Sequence, residues 1–239
     1  MYFLKSKEDL KYYIKEDSFA NPPCKNILVY IKDWIFQNEK FYLHKYLVTL
    51  RHLEYYKNNR DKIIYKLFYL YYLMKWKRQS HKTGLTIPPN CCGPGLRLYH
   101  TVNTRTAMTS ETVIGARVTL RPGVVFGYQG DSTRESLNSP VIEDDVEFSW
   151  GAKAFGKVHI GRGALINANS VVLSNIPPYA IVVGNPGKVI GFTKNPQEVI
   201  EYEEQHYPID KRIPLDLLEK NYNKFFISRI DEIRKYTKV

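Results

Sequence analysis

Between Val113 and Ile190 the apolar positions recur every six residues. VIGARV, TLRPGV and VFGYQG precede an interruption, and VIEDDV, EFSWGA, KAFGKV, HIGRGA, LINANS and VVLSNI follow it. The second position of each hexad is usually aliphatic or aromatic (Ile114, Leu120, Phe126, Ile142, Phe148, Ile160, Ile166, Val172), with Ala154 the small member. The sixth is small or aliphatic, as in Val118, Val146, Val158 and Ala164. A helix would repeat its apolar residues at three and four, and a half-buried strand at two. A period of six predicts short strands, each followed by a tight bend, that send one side chain in six into a shared axial core.

Upstream the period changes. Ser6-Lys7-Glu8-Asp9 offers an N-cap with an acidic first turn, followed at helical spacing by Leu10, Tyr13 and Ile14, before Asn21-Pro22-Pro23 breaks the chain. Ile27, Tyr30, Ile31, Trp34 and Ile35 form one amphipathic stripe; Leu43, Tyr46, Leu47, Leu50 and Leu53 form another. The segment 61–78 is apolar nearly all round and ends in Lys75-Trp76-Lys77-Arg78. Such a helix is sandwiched in a bundle, buried at an oligomer contact, or laid on a membrane interface, and the sequence leaves all three open. The run from Thr86 to Gly95 is helix-breaking, and Gly127 to Pro140 is a polar loop thrown out of the hexads, where function tends to sit. The tail reads as two helices, around 196–206 and 214–236, with Pro208 and Pro214 between them. The expected class is α+β: a helical domain over 1–82, a repeat domain over 83–192 and a helical extension over 193–239.

The formal charge is +11, and residues 1–82 carry most of it, with 17 Lys or Arg against 8 Asp or Glu. No nucleic-acid-reading motif accompanies the surplus, so nucleic acid is not an expected partner. A basic surplus beside an apolar helix leaves peripheral contact of 61–78 with an anionic membrane as an expectation. Charge follows Met1-Tyr2-Phe3-Leu4 at once, and the longest apolar run, Ile63 to Met74, is interrupted by Lys66 and covers about half a bilayer span. The expected location is therefore the cytoplasm, with any membrane contact at the inner face. Three cysteines, Cys24, Cys91 and Cys92, provide neither a disulfide framework nor a metal spacing and read as reduced, small hydrophobes.

Taken in order, Ile87-Pro88-Pro89 leading to Gly93-Pro94-Gly95-Leu96, then Leu98-Tyr99-His100, the hexads with one loop, and Ile176-Pro177-Pro178 leading to Val182-Val183-Gly184-Asn185-Pro186-Gly187-Lys188 resemble the bacterial hexapeptide-repeat acyltransferases, in particular their serine acetyltransferase-like branch. The resemblance covers about Gly84 to Gly191 and implies a left-handed parallel β-helix, usually a homotrimer with active sites between subunits. It further implies acetyl-CoA as acyl donor and no metal. Only His100 and His159 fall within the repeats, too few for a histidine metal site.

On that resemblance His100 is the expected general base, because imidazole has a pKa near about 6.5 and can take the proton of an attacking hydroxyl. The other histidines lie in the helical regions or, as His159, at the first position of a hexad. Trp150, Gly151, Ala152, Ala168, Asn169 and Lys188 are expected along the CoA groove. The small residues serve equally for coil packing, and Trp150 either stacks on a ligand ring or narrows the groove. Asn103, Asp131, Arg134, Asn138 and Ser139 are the expected acceptor contacts. The sequence departs from the serine enzymes where they orient the histidine with an aspartate, a place Thr86 occupies. It departs again where they hold a carboxylate with an Arg-His pair, a place where Asn138-Ser139 stand before Pro140. A Ser or Asn does not replace Arg in that pairing. The resemblance so modified points first to O-acetylation of a sugar hydroxyl in surface polysaccharide synthesis, with capsule or lipopolysaccharide as the carbohydrate acceptor. A serine O-acetyltransferase of cysteine biosynthesis and a non-catalytic β-helix scaffold are the alternatives.

Overall fold

The computed structural model describes residues 4–24, 26–36, 38–100, 104–128 and 138–225. Helix α1 (Lys7–Ala20) starts on a reciprocal cap: Ser6 Oγ accepts from Asp9 N at 2.9 Å, and Asp9 Oδ2 accepts from Ser6 N at 3.0 Å. After α2 (Ile27–Ile35), the long α3 (Glu39–Asn58) buries Leu43, Tyr46, Leu47, Leu50 and Leu53. Helix α4 (Ile63–Thr83) lies along α3 and stops at Gly84, whose φ of 77° gives the left-handed residue that ends many helices. Trp76 Nε1 donates to Tyr46 Oη at 3.1 Å, and the same hydroxyl accepts from Ile87 N, so one buried tyrosine ties α3, α4 and the entry to the repeats. Burial pushes that phenol up to about 12. The face of α4 away from α3 is exposed, so within the single chain the 61–78 segment is not sandwiched in a bundle.

The junction between helices and repeats is built on a buried charge. Arg51, fully buried, donates to Asp17 at 2.7 Å, to Glu54 at 2.9 Å, and to the carbonyls of Cys92 and Gly93 at 2.9 and 2.7 Å. Asp17 in turn accepts from Gly95 N and Leu96 N at 2.8 and 2.9 Å, and Glu54 accepts from Asn90 N at 2.8 Å. Burial pushes the Glu54 carboxyl above its ordinary range despite the adjacent guanidinium. The helix-breaking turn Asn90 to Leu96 thus has its polar groups met by α1 and α3, as buried backbone requires. Cys91 and Cys92 pack in this core as free thiols, Cys91 pushed up to about 12 by burial.

From Leu85 onward the chain winds as coils of three short strands, stacked into three parallel faces. β1 (Leu85–Thr86), β3 (Thr106–Met108), β6 (Val125–Gly127), β9 (Lys153–Phe155) and β12 (Val171–Val172) make the first. β4 (Val113–Ile114), β7 (Val141–Ile142) and β10 (His159–Ile160) make the second. β2 (Arg97–Leu98), β5 (Thr119–Leu120), β8 (Glu147–Phe148), β11 (Leu165–Ile166) and β13 (Ala180–Val183) make the third. Regular coils are 18 residues apart, as Ile142 to Ile160 and Phe148 to Ile166. Phe126 to Ala154 is 28, so the polar loop adds ten residues to one coil without shifting the ladder.

The hexad pattern becomes columns of buried side chains, such as Leu98, Leu120, Phe148, Ile166 and Val182. The small Ala154 sits directly above Phe126, whose ring meets Phe148 edge to face at 4.8 Å, so large and small alternate to fill the axis. The last coil departs from the repeat: β14 (Lys188–Phe192) turns back antiparallel on β13 and closes the open end. Helix α5 (Pro196–His206) follows, capped by Asn195, and the chain is helical again over 215–225. Tyr207 docks this tail on a coil corner, its hydroxyl meeting both Arg117 and Asp145, while Arg162 pairs with Glu203 at 2.6 Å.

Candidate active site

Strand register decides which residues meet. The column Leu98, Leu120, Phe148, Ile166, Val182 fixes the phase of the corner that follows, so two residues on, His100, Pro122, Trp150, Ala168 and Gly184 stack on successive coils. One residue further come Gly123, Gly151 and Asn169, all with positive φ, joined by Gly151 N to Pro122 O and Asn169 N to Trp150 O at 2.8 Å each. A side chain at Gly151 would run into the Asn169 amide, and its φ of 66° is one that glycine tolerates without strain. The sequence-expected residues His100, Trp150, Gly151, Ala168 and Asn169 therefore share one corner. Ala168, Asn169 and Trp150 are exposed there.

His100 ends the first complete coil in a left-handed backbone conformation, φ 51°, uncommon for a residue with a Cβ. Its side chain is 68% exposed. The imidazole lies nearly parallel to the Trp150 indole, 19° apart with centroids at 6.3 Å, so Trp150 spans a coil to reach it. Its Nδ1 is 3.3 Å from Glu39 Oε2. Glu39 opens α3, a position favourable for a carboxylate against the helix dipole, behind the Asn38 cap. Its other oxygen, Oε1, is buried without a hydrogen-bond partner among the described residues. A carboxylate this near Nδ1 favours the tautomer protonated there, which leaves the Nε2 lone pair to accept a proton.

Glu39 was invisible to the sequence argument, which placed Thr86 where an orienting acid would stand. Thr86 is an exposed strand residue, and the carboxylate that reaches His100 comes from the helical domain. Ala152 is fully buried under the corner and offers a groove no surface of its own. Lys188, at the start of β14, is exposed just past the Gly184 to Gly187 turn, whose Gly187 N is held by Val171 O at 2.7 Å. Asn138 is half-buried. Ser139 is buried, its hydroxyl bonded to Thr109 Oγ1 at 2.9 Å and so part of the coil, not of an open pocket. Asn103, Asp131 and Arg134 lie outside the described residues. The loop leaves β6 and returns at β7, the corner between the first and second faces, whereas His100 stands between the third and the first.

Compared with known proteins, the chain is 39% identical over 109 residues to the serine acetyltransferase of Bacillus licheniformis, a match that covers 45% of this chain and 49% of the relative. The Bacillus pumilus serine acetyltransferase is 36% identical over 124 residues, 51% of this chain and 55% of that one. The chain resembles the serine acetyltransferases. It spans about half the length of these curated relatives. No protein-family model matches it. Among solved structures, Neisseria gonorrhoeae serine acetyltransferase superposes with a TM-score of 0.55 at 24% identity, over 84% of this chain and 69% of that one. A Brucella abortus serine acetyltransferase solved with coenzyme A gives 0.55 at 25%, over 79% and 70%. The likeness carries the fold, a left-handed parallel β-helix with helices before and after it, and so the coil hand that periodicity leaves open.

Proposed function

We propose that this chain is an acetyl-CoA-dependent O-acetyltransferase whose reacting centre is the His100 corner. The carrying observation is His100 itself: Nδ1 3.3 Å from Glu39 Oε2, the ring nearly parallel to Trp150, and the side chain exposed. His100 takes the proton of an acceptor hydroxyl as its oxygen attacks the thioester carbonyl. The C–O bond forms, the C–S bond breaks, and the proton passes to the departing thiolate. No acyl-enzyme is required, and the exposed imidazole suits a proton carrier better than a nucleophile enclosed in a pocket. The stacked corner of Gly151, Ala168 and Asn169 is the track we assign to the donor's pantetheine arm, and the exposed Lys188 is the cation we assign to a donor phosphate.

For the acceptor, the relatives favour L-serine over the sugar hydroxyl that the loop sequence put first, since the curated matches bear the name serine acetyltransferase. A sugar acceptor in polysaccharide synthesis is the second reading, favoured by Ser139, which is buried and bonded to Thr109 where a carboxylate-binding cation would be needed. Either acceptor fits a homotrimer with sites between subunits. The loop root and His100 stand at different corners and more than one coil apart, so a loop from a neighbouring copy is the proposed wall of the acceptor site. Thiol release from acetyl-CoA, followed with L-serine and with a panel of nucleotide sugars and oligosaccharides, separates the readings. The proposal expects acceptor-dependent release with L-serine; release with saccharides alone supports the second reading, and no acceptor-dependent release with any of them removes the function.

A further inference from the structure

The N-terminal helices carry an apolar surface that nothing among the described residues covers. Helix α2 buries none of its nine residues, and Leu28, Trp34 and Phe36 at its end are 74%, 59% and 75% exposed. On α4 the residues facing away from α3 are Ile63, Leu67, Leu70 and Met74, spaced four, three and four apart on one stripe and all exposed. The two helices flank one groove of about 440 Å³ over α3, with Tyr30 of α2 on one wall and Lys75 of α4 on the other. Lys45 lies in it, its ammonium 2.6 Å from the Tyr30 hydroxyl.

The charge along α4 has one sign, whereas α2 carries both Lys32 and Asp33. No Asp or Glu occurs between Asp61 and Glu111, while α4 and its cap carry six Lys or Arg, of which Lys66, Lys77 and Arg78 are exposed beside the apolar stripe. A two-fold pairing of this face with its copy would set like charges against each other across an apolar contact. An anionic lipid surface meets both demands, burying the stripe among acyl chains and leaving the lysines at the phosphates. Tryptophan and tyrosine suit that boundary as well. Among the described residues no helix is long and apolar enough to cross a membrane, which fits a surface that lies on lipid.

We propose that the α2–α4 face docks the chain on an anionic membrane surface. This holds whichever acceptor His100 serves, and its test needs no turnover. The full chain is sedimented with vesicles of phosphatidylcholine alone and of phosphatidylcholine with phosphatidylglycerol, at low and high salt. Binding is expected to the anionic vesicles only, and to weaken about tenfold or more at high salt as the lysine contribution is screened. Leu67→Glu with Leu70→Glu removes binding, and so does Lys66→Glu with Lys77→Glu, a pair of exposed substitutions that leave the apolar stripe and the fold intact by circular dichroism. No binding to anionic vesicles, or binding that survives both pairs, overturns the proposal. So does a particle mass by light scattering that falls in the leucine variant while vesicle binding is unchanged, which would make the face a contact between copies.

Discussion

His100 holds a left-handed backbone conformation at the end of a coil, with its ring between a carboxylate from α3 and an indole from two coils above. Both contacts are partly exposed, so each is worth modest energy. An exposed ion pair contributes about 0.2–1 kcal/mol, and Glu39→Gln is expected to lower kcat by up to about fivefold with KM for acetyl-CoA unchanged. Ring stacking adds about 0.5–1.5 kcal/mol, so Trp150→Ala should cost roughly two- to tenfold, again in kcat. Steady-state kinetics on the two variants check both; a rise in KM for acetyl-CoA with kcat intact would instead put Trp150 on the donor. At this scale His100 was legible from its motif and Trp150 as an oddity of its hexad. Glu39 was not, because the contact joins residues 61 positions apart, one on a helix and one on a coil, and no local pattern marks it. Ser139 misled for the opposite reason: the sequence places it in a polar loop, and only the coil shows its hydroxyl bonded to Thr109.

At the scale of elements, the six-residue period was legible because one buried side chain per hexad imposes it, and Ala154 proved the small member needed above Phe126. The antiparallel return of β14 was not, since closing an open end is a demand of the assembled sheet and not of any hexad. Arg51 shows the same blindness in the helices: a charge on an apolar face, explained only by the turn it serves. Arg51→Met would leave Asp17 and Glu54 buried without their cation and is expected to cost about 3–5 kcal/mol in urea unfolding. Tail docking carries a pH signature. Burial pushes the Asp145 carboxyl up, but bonds from Arg117 and Tyr207 outweigh it and hold it below the ordinary range. Its stabilising contribution is therefore complete above the unfolded value of about 4 and is lost as pH falls through the lower folded one. Thermal unfolding across that acid range should show a flattened acid limb in Asp145→Asn relative to the parent chain.

The molecule as a whole combines a rigid β-helix, a basic helical domain clamped to its first turn by Arg51, and a loop rooted on a corner other than the one that bears His100. Composition and charge pointed to the basic domain, and hexad order to the scaffold; the assignment of an acceptor depends on the meeting of loop and corner, which no single stretch of sequence encodes. The His100 corner is the proposed place of acetyl transfer. The most direct measurement is acceptor-dependent thiol release from acetyl-CoA by the parent chain and by His100→Ala, with circular dichroism and particle mass recorded on both. Loss of about 10²–10⁴-fold in turnover with fold and mass unchanged is the predicted result. Turnover in His100→Ala equal to that of the parent would contradict it.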